Sequence, residues 1–411
     1  MSDREILKPL VERTLELAGR PEEAHKKELW ARLNALQPVE KIPVSLTFEG
    51  IPRRQWDAMF GANHLCCQGE LAREIEFYLK QRVWMAENVP DDHVIWPAVA
   101  VPAVYLPQHR QWGVELRRAH TNDELGSTAE IAPFADAVDT TLLRRPYTEV
   151  DEAGTAARLA EVSDLLDGRL SVFPTYAALG ESPFEWAVKL RGMQQLFYDA
   201  YDSPQIIHAL MTFVTEATLA DHRHREAHGW INCPVEPSGR YQMTLTWRQI
   251  ATYPLPDFDP RRPRVCDERA YVSAQSAFGF GPKMFAEFVH PYNSRLAALF
   301  PPKSVYFHGC ECLDQKLDVI ATLPNLGRHH VSAWSNVALA AEKYQGAVVL
   351  EVTTHPMLVC AGRQEMRETM AGLVRAAAGH PMTLSITDIY NFGGEAANLR
   401  IWAEAAQDAV G

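Results

Sequence analysis

The chain has no long apolar run. Its most hydrophobic stretch, HVIWPAVAVPAVYL (His93 to Leu106), is too short to cross a bilayer and carries Pro97 and Pro102. The opening residues, MSDREILKPLVERTLELAGR, are charged throughout and lack the apolar middle of a signal peptide. Positive charge is not in excess either. The formal net charge of -12 argues against a nucleic-acid partner, because phosphate binding needs a basic surface. Seven cysteines are an odd number, and their spacing shows no disulfide framework. No glycine-rich phosphate loop follows the first predicted strand, which weighs against an open nucleotide-binding sheet. The expectation is a soluble, cytoplasmic protein with no membrane partner, whose thiols stay reduced and available for metal or chemistry.

What is present is a globular composition, 47% hydrophobic and 22% charged, enough for a core without disulfides. Residues 1–40 read as a helical extension. Pro21 suits a first helical position, and PEEAHKKELWARLNAL places Trp30, Leu33 and Leu36 on one side. KIPVSLTF (Lys41 to Phe48) reads as a buried strand, RLSVFPTYAALG as a strand entering a loop, and two helices each open on Ser-Pro. From Gly281 short apolar strands alternate with amphipathic helices: KSVYFHGC, HHVSAW, GAVVLEVTTHP and PMTLSITDIY each precede a helix. Such alternation is the mark of parallel βα units. The expected fold is α/β, a (β/α)8 TIM barrel over 41–411 behind the N-terminal helical extension.

In such a barrel, chemistry gathers where strands end and loops begin. That places His308 and Cys310, then Ser332 and Trp334, then Glu351, Thr353, Thr354 and His355, then Thr387, Asp388 and Tyr390, at one mouth. Cys266, Asp267 and Glu268, before the Gly281 helix, are expected at the same mouth. In SVYFHGCECLD (Ser304 to Asp314), His308 and Cys310 are two apart at a strand end, so both side chains point the same way and can reach one ion. An imidazole and a thiolate suit zinc. A third ligand is needed, and spacing does not choose it: Cys360, beyond the third strand end, comes first, then Glu268, Asp267, Asp388 and Cys312. Other features have plainer readings. Cys66 and Cys67 read as helix packing, and the histidines of HRHREAHG (His222 to Gly229) as solvated. Arg53 and Arg54 in PRRQW, and the arginines of DPRRPR (Asp259 to Arg264), could grip a carboxylate.

SAFGFGPKMFAEFVHPYNSRL resembles the Ser-Pro-x-x-Phe-x-x-Phe-x-x-Pro-Tyr helix of the uroporphyrinogen decarboxylase superfamily. LRGMQQLFYDAYDSPQIIHALMTFV resembles its helix pair, and VTTHP falls at its Gly-Asn-x-x-Pro turn. The likeness runs from about residue 120 to 405 and implies a (β/α)8 barrel. The decarboxylases' own Arg-Gln-Ala-Gly-Arg signature is missing from SLTFEGIPRRQW. The corrinoid-linked branch, relatives of the methylcobamide:coenzyme M methyltransferases, is similar at His308-Gly309-Cys310, which matches its zinc pair. That branch draws its third ligand from the last strand, where this chain reads SITDIY, with Thr387 or Asp388.

The resemblance implies a zinc-dependent methyltransferase moving a methyl group between a corrinoid carrier protein and a small molecule. The metal ligands would be His308, Cys310 and Cys360. Glu268, Asp388 and His355 would be the catalytic acids and bases, and Arg53, Arg54, Trp334 and Tyr390 would contact substrate. No cobalamin-binding domain is visible in the chain, so the corrinoid would arrive on a partner; a homodimer is the other partner considered. The alternative is a metal-free decarboxylase or lyase, with Arg53, Arg54 and Arg264 on the substrate's carboxylates. A barrel that serves only for binding or assembly is the third reading.

Overall fold

The computed structural model describes residues 1–47, 50–60, 65–120, 128–232, 257–259 and 262–411. Of the Asp259–Arg264 run, residues 260 and 261 lie outside the described residues. The strands are β1 (Val44–Leu46), β2 (Ala98–Pro102), β3 (Arg117–His120), β4 (Thr128–Ile131), β5 (Ser171–Thr175), β6 (Leu179–Glu181), β7 (Ala270–Ser273), β8 (Val305–His308), β9 (Leu326–Val331), β10 (Val349–Thr353) and β11 (Met382–Ile386). Seven form one parallel sheet in the order β1-β11-β10-β9-β8-β7-β6, while β2 pairs with β5 in a separate parallel ladder. β3 and β4 make an exposed antiparallel hairpin. Among the described residues no ladder joins β1 to β2, so the expected eight-stranded ring is not closed by strand pairing.

β1 nevertheless does not leave its second edge bare. Asp92 accepts the Val44 N–H at 2.9 Å, Asp91 accepts the Leu46 N–H at 2.9 Å, and the Asp92 N–H donates to the Val44 carbonyl at 2.8 Å. Two carboxylates from the segment leading into β2 thus stand in for a neighbouring backbone, as buried amides require. Lys41 donates to Asp92 at 2.5 Å and offsets its charge.

The alternation of side chains along each strand divides the sheet into two chemically distinct faces. Val44, Leu46, Ala270, Val272, Val305, Phe307, Val331, Leu350, Val352, Leu384 and Ile386 point to one face and join the main apolar core with the helices. Their strand neighbours, Val349 apart, are polar or aromatic: Ser45, Tyr271, Ser273, Tyr306, His308, Arg328, His330, Glu351, Thr353, Thr383 and Ser385. All of these are buried except Tyr271 and His308, which are partly so. Polar groups sheltered this thoroughly must be mutually satisfied or functional.

The four C-terminal strand-helix units occur as expected, with two differences in the helices. The helix expected over Gly281–Phe300 is two, Pro282–Phe288 and His290–Ala297. Pro291 has no N–H to continue the first. The first Ser-Pro helix is also split, into Pro183–Arg191 and Met193–Asp202, by Gly192 at φ 88°. That left-handed backbone is open to glycine and strained for other residues. The histidine-rich run differs too: His222 is fully buried, not solvated, and accepts the Gly180 N–H at 3.0 Å. No described helix is long and apolar enough to cross a membrane.

The N-terminal helices cover Asp3–Ala18 and Pro21–Asn34. A capping box starts the first: the Ser2 hydroxyl accepts the Glu5 N–H at 3.3 Å and the Glu5 carboxylate accepts the Ser2 N–H at 2.6 Å. The second buries Leu29, Trp30 and Leu33, close to the face read from its sequence. Asn34, its last residue, accepts from Arg328 of β9 at 2.8 Å.

Candidate metal centre

His308 ends β8, and Cys310 follows two residues later on the same side. The His308 Nε2 lies 3.2 Å from the Cys310 Sγ. Its Nδ1 lies 2.7 Å from the Tyr306 hydroxyl, two residues back on the same face. From β9, His330 lays its ring against His308, with centroids 4.4 Å apart and planes 4° from parallel. Nδ1–H of His330 donates to the Gly309 carbonyl at 2.7 Å, and its Nε2 faces the Thr353 hydroxyl at 2.9 Å. Thr353 in turn is 3.1 Å from the Ser385 hydroxyl. Ligand atoms of His308, Cys310 and His330 all fall within 4.8 Å of one another.

Two imidazoles and a thiol are the donor set of a borderline-soft ion such as zinc, with three protein ligands and a fourth position for substrate or water. The supporting bonds fit that role. A ligating histidine generally anchors its other ring nitrogen on a carbonyl, carboxylate or water, which fixes the tautomer. Gly309 does this for His330, and Tyr306 supplies a hydroxyl for His308.

The loop after β8 is held by β9. Ser332 donates to the Glu311 carbonyl at 2.9 Å, and Ser335 accepts the Leu313 N–H at 3.2 Å. Burial pushes the Glu311 carboxyl up, with Lys316 opposing the shift and Glu185 adding to it. Burial pushes Lys316 down; its ammonium donates to the Ala277 carbonyl at 3.0 Å.

The other sequence-derived candidates are dispersed. Cys360 is exposed, with its thiol 3.6 Å from the Asn391 carbonyl, and does not belong to the His308 group. Glu268 departs from the shared-mouth expectation. It precedes β7, whereas the register pairs the far end, Ser273, with His308. It has the parity of Ala270 and Val272, and it packs beside Asn232, which donates to it at 3.1 Å. Burial raises its carboxyl to about 7, with the Arg225 charge opposing.

Asp388 follows β11 at φ 55°, a left-handed conformation that aspartate tolerates better than most residues. Its backbone closes on Gly50: a Cβ there would lie 3.1 Å from the Asp388 Cα. Tyr390 accepts from Gln55 through its carbonyl at 3.1 Å and leaves its ring exposed. Arg53 lays its guanidinium over the Phe77 ring, 3.5 Å from the centroid, and Arg54 is exposed. Arg264 is bound to Asp257 at 2.7 Å and to Asp267 at 2.9 Å. His355 accepts the Met357 N–H at 3.2 Å and meets Trp334 edge-on at 5.0 Å.

His330 is the residue that sequence reading missed. The available signal was the alternation Arg328-His330-Ser332: three polar side chains on one face of a strand expected to be buried. Cys66 and Cys67, expected to pack in a helix, instead precede the helix Glu70–Asn88, with Cys66 exposed and Cys67 buried. Their amides bind the Glu76 carboxylate, and burial foremost pushes the Cys67 thiol up to about 12.

No family model matches the chain, and no curated protein matches it by sequence. Among solved structures, a methyltransferase from Methanosarcina mazei is similar over 93% of this chain and 98% of its own, with a TM-score of 0.51 and 12% sequence identity. At that identity the likeness is one of fold: an α/β chain with a parallel central sheet.

Proposed function

We propose that the chain is a metal-dependent methyltransferase of the uroporphyrinogen decarboxylase type, moving a methyl group between a corrinoid carrier protein and a small molecule. The fold would be a (β/α)8 barrel, with the β2–β5 pair completing the ring begun by the seven-stranded sheet. The grouping of His308, Cys310 and His330 at the C-terminal ends of adjacent strands carries the reading. His330 takes the place first given to Cys360.

Zinc bound there would act as a Lewis acid, holding a substrate thiol as the thiolate that accepts a methyl group. The chain's own residues prepare the place. Tyr306 fixes the His308 ring so that Nε2 and the Cys310 Sγ face one another. Gly309 engages Nδ1 of His330 and leaves Nε2 as its ligand nitrogen. The Thr353 hydroxyl, now on that nitrogen, has Ser385 as a second partner to turn to. The thiol's proton must leave as the thiolate forms, and Asp388, at the β11 rim, is the proposed acceptor.

The exposed apolar side chains Phe278, Trp334, Met357 and Tyr390 follow β7, β9, β10 and β11. Each belongs to the end of the strands that carries the metal group, which suits a partner seated over the mouth. The test is metal analysis of the purified protein, with methylcobalamin and a small thiol as surrogate substrates. About one zinc per chain and thiol-dependent loss of the methylcobalamin spectrum are expected, both abolished in His308→Ala/Cys310→Ala. Metal-free wild-type protein would sink the proposal.

A further inference from the structure

The His308 ring is held from below by a hydroxyl whose own support comes from outside the sheet. Tyr306 alternates with Val305 and Phe307, which enter the main core, so its ring lies on the polar face. There it joins a separate small apolar cluster with Trp30 and Val94, against which Trp96 and Tyr271 pack. Tyr271 approaches Tyr306 at 5.7 Å and His308 at 5.4 Å, centroid to centroid. Trp30 is fully buried and lies in the N-terminal helix Pro21–Asn34; its indole N–H donates to the Asp92 carbonyl at 2.6 Å.

From this arrangement we infer that the N-terminal helix is part of the metal centre, with Trp30 and Tyr306 as positioning residues that set the orientation of His308. The inference rests on the metal-centre reading above. Tyr306 would fill its space equally well as phenylalanine, so packing alone does not call for the hydroxyl. A buried hydroxyl is costly unless paired, and here it is 2.7 Å from the His308 Nδ1. A phenol on a stiff ring directs that nitrogen only if the ring cannot tilt. The indole of Trp30 and the side chain of Val94 belong to the cluster that confines it. The indole is itself tethered by a hydrogen bond to Asp92, the residue that also closes the edge of β1. A helix far from the site in sequence therefore meets it through two aromatic rings.

The test compares wild type with Tyr306→Phe, Trp30→Ala and Trp30→Phe, using cobalt(II) as the probe. Cobalt affinity is measured by chelator competition, the ligand geometry by the visible bands, and folding by thermal unfolding. Tyr306→Phe is expected to weaken cobalt binding by about 10- to 100-fold, the usual effect of losing a histidine's outer partner. Its visible bands should shift while the unfolding midpoint stays close to wild type. Trp30→Ala should move the same bands although it touches no ligand, and Trp30→Phe should restore them.

Wild-type affinity and spectrum in both Tyr306→Phe and Trp30→Ala would overturn the inference and leave the metal reading standing. If wild type itself takes up no cobalt, the metal reading falls, and crystal structures of metal-free variants decide the inference separately. A His308 ring turned off its stack with His330 in Tyr306→Phe and Trp30→Ala supports it; an unmoved ring in both overturns it.

Discussion

His308 and His330 lie face to face, their ring centroids 4.4 Å apart and their planes 4° from parallel. They come from neighbouring strands, and the contact places two imidazoles beside the Cys310 thiol. Two such rings would repel if both were protonated. A shared cation, held by neutral rings and a thiolate, would remove that conflict.

His330→Ala should remove a ligand. Zinc affinity should fall further than the roughly 10- to 100-fold typical of losing an outer partner. Cys360→Ala should bind zinc as wild type does. Titration against a chromogenic chelator measures both, and the reverse ranking would restore Cys360 as the third ligand.

Glu268 gives a pH-dependent prediction with a definite sign. Its folded pKa, about 7, is raised above that of an unfolded glutamate, so the ionised form is penalised in the native state. The stability associated with its proton is fully present below about pH 4 and is lost as pH rises through about 7. Glu268→Gln keeps an oxygen for Asn232 and cannot ionise. It should match wild type near pH 4 and exceed it by roughly 1–3 kcal/mol at pH 8. Urea unfolding at the two pH values reads the difference, and a gap that does not change with pH would contradict the assignment.

Gly327 in β9 faces the Lys303 backbone so closely that an added Cβ would lie 1.8 Å from its carbonyl oxygen. Gly327→Ala should therefore displace the base of β9 and cost more than about 2 kcal/mol. Denaturant titration at one pH is sufficient. A loss below about 0.5 kcal/mol, the scale of a neutral surface change, would show that the strand can yield.

Trp334 is 62% exposed and makes its edge-on contact with His355. Trp334→Ala should leave metal content and thermal midpoint unchanged. If a carrier protein seats on this rim, reaction with a protein-borne methylcorrinoid should slow by 10-fold or more, since exposed tryptophans are common anchors. Reaction with free methylcobalamin should not slow. Equal slowing with both donors would place Trp334 on the small substrate.

The C-terminal half was legible because its signals are local. Thr353 and Ser385 fall within runs whose alternation and length mark strands, and Asn336 caps the helix that follows β9 through the Leu339 N–H. His308 and Cys310 were legible for the same reason: a spacing of two in a strand fixes a common side. His330 required knowing which strand lies beside β8, a matter of long-range register that no short window contains. Glu268 was misplaced because no strand was read over Ala270–Ser273, so that a residue at the entrance of β7 was taken for one at a strand exit. The contact of Asp91 and Asp92 with β1 was hidden likewise, since it links residues about half a hundred positions apart through carboxylates rather than a backbone ladder.

Cohesion and chemistry occupy opposite sides of the same ribbons. Most aliphatic groups that glue sheet to helix sit on one side of β1 and β7 through β11, while serines, threonines, tyrosines and histidines crowd the other. Polar-side positions that hold no helix in place, such as His308 and His330, could therefore be rewritten one by one, exchanging one reaction for another, with the scaffold's adhesive layer left untouched.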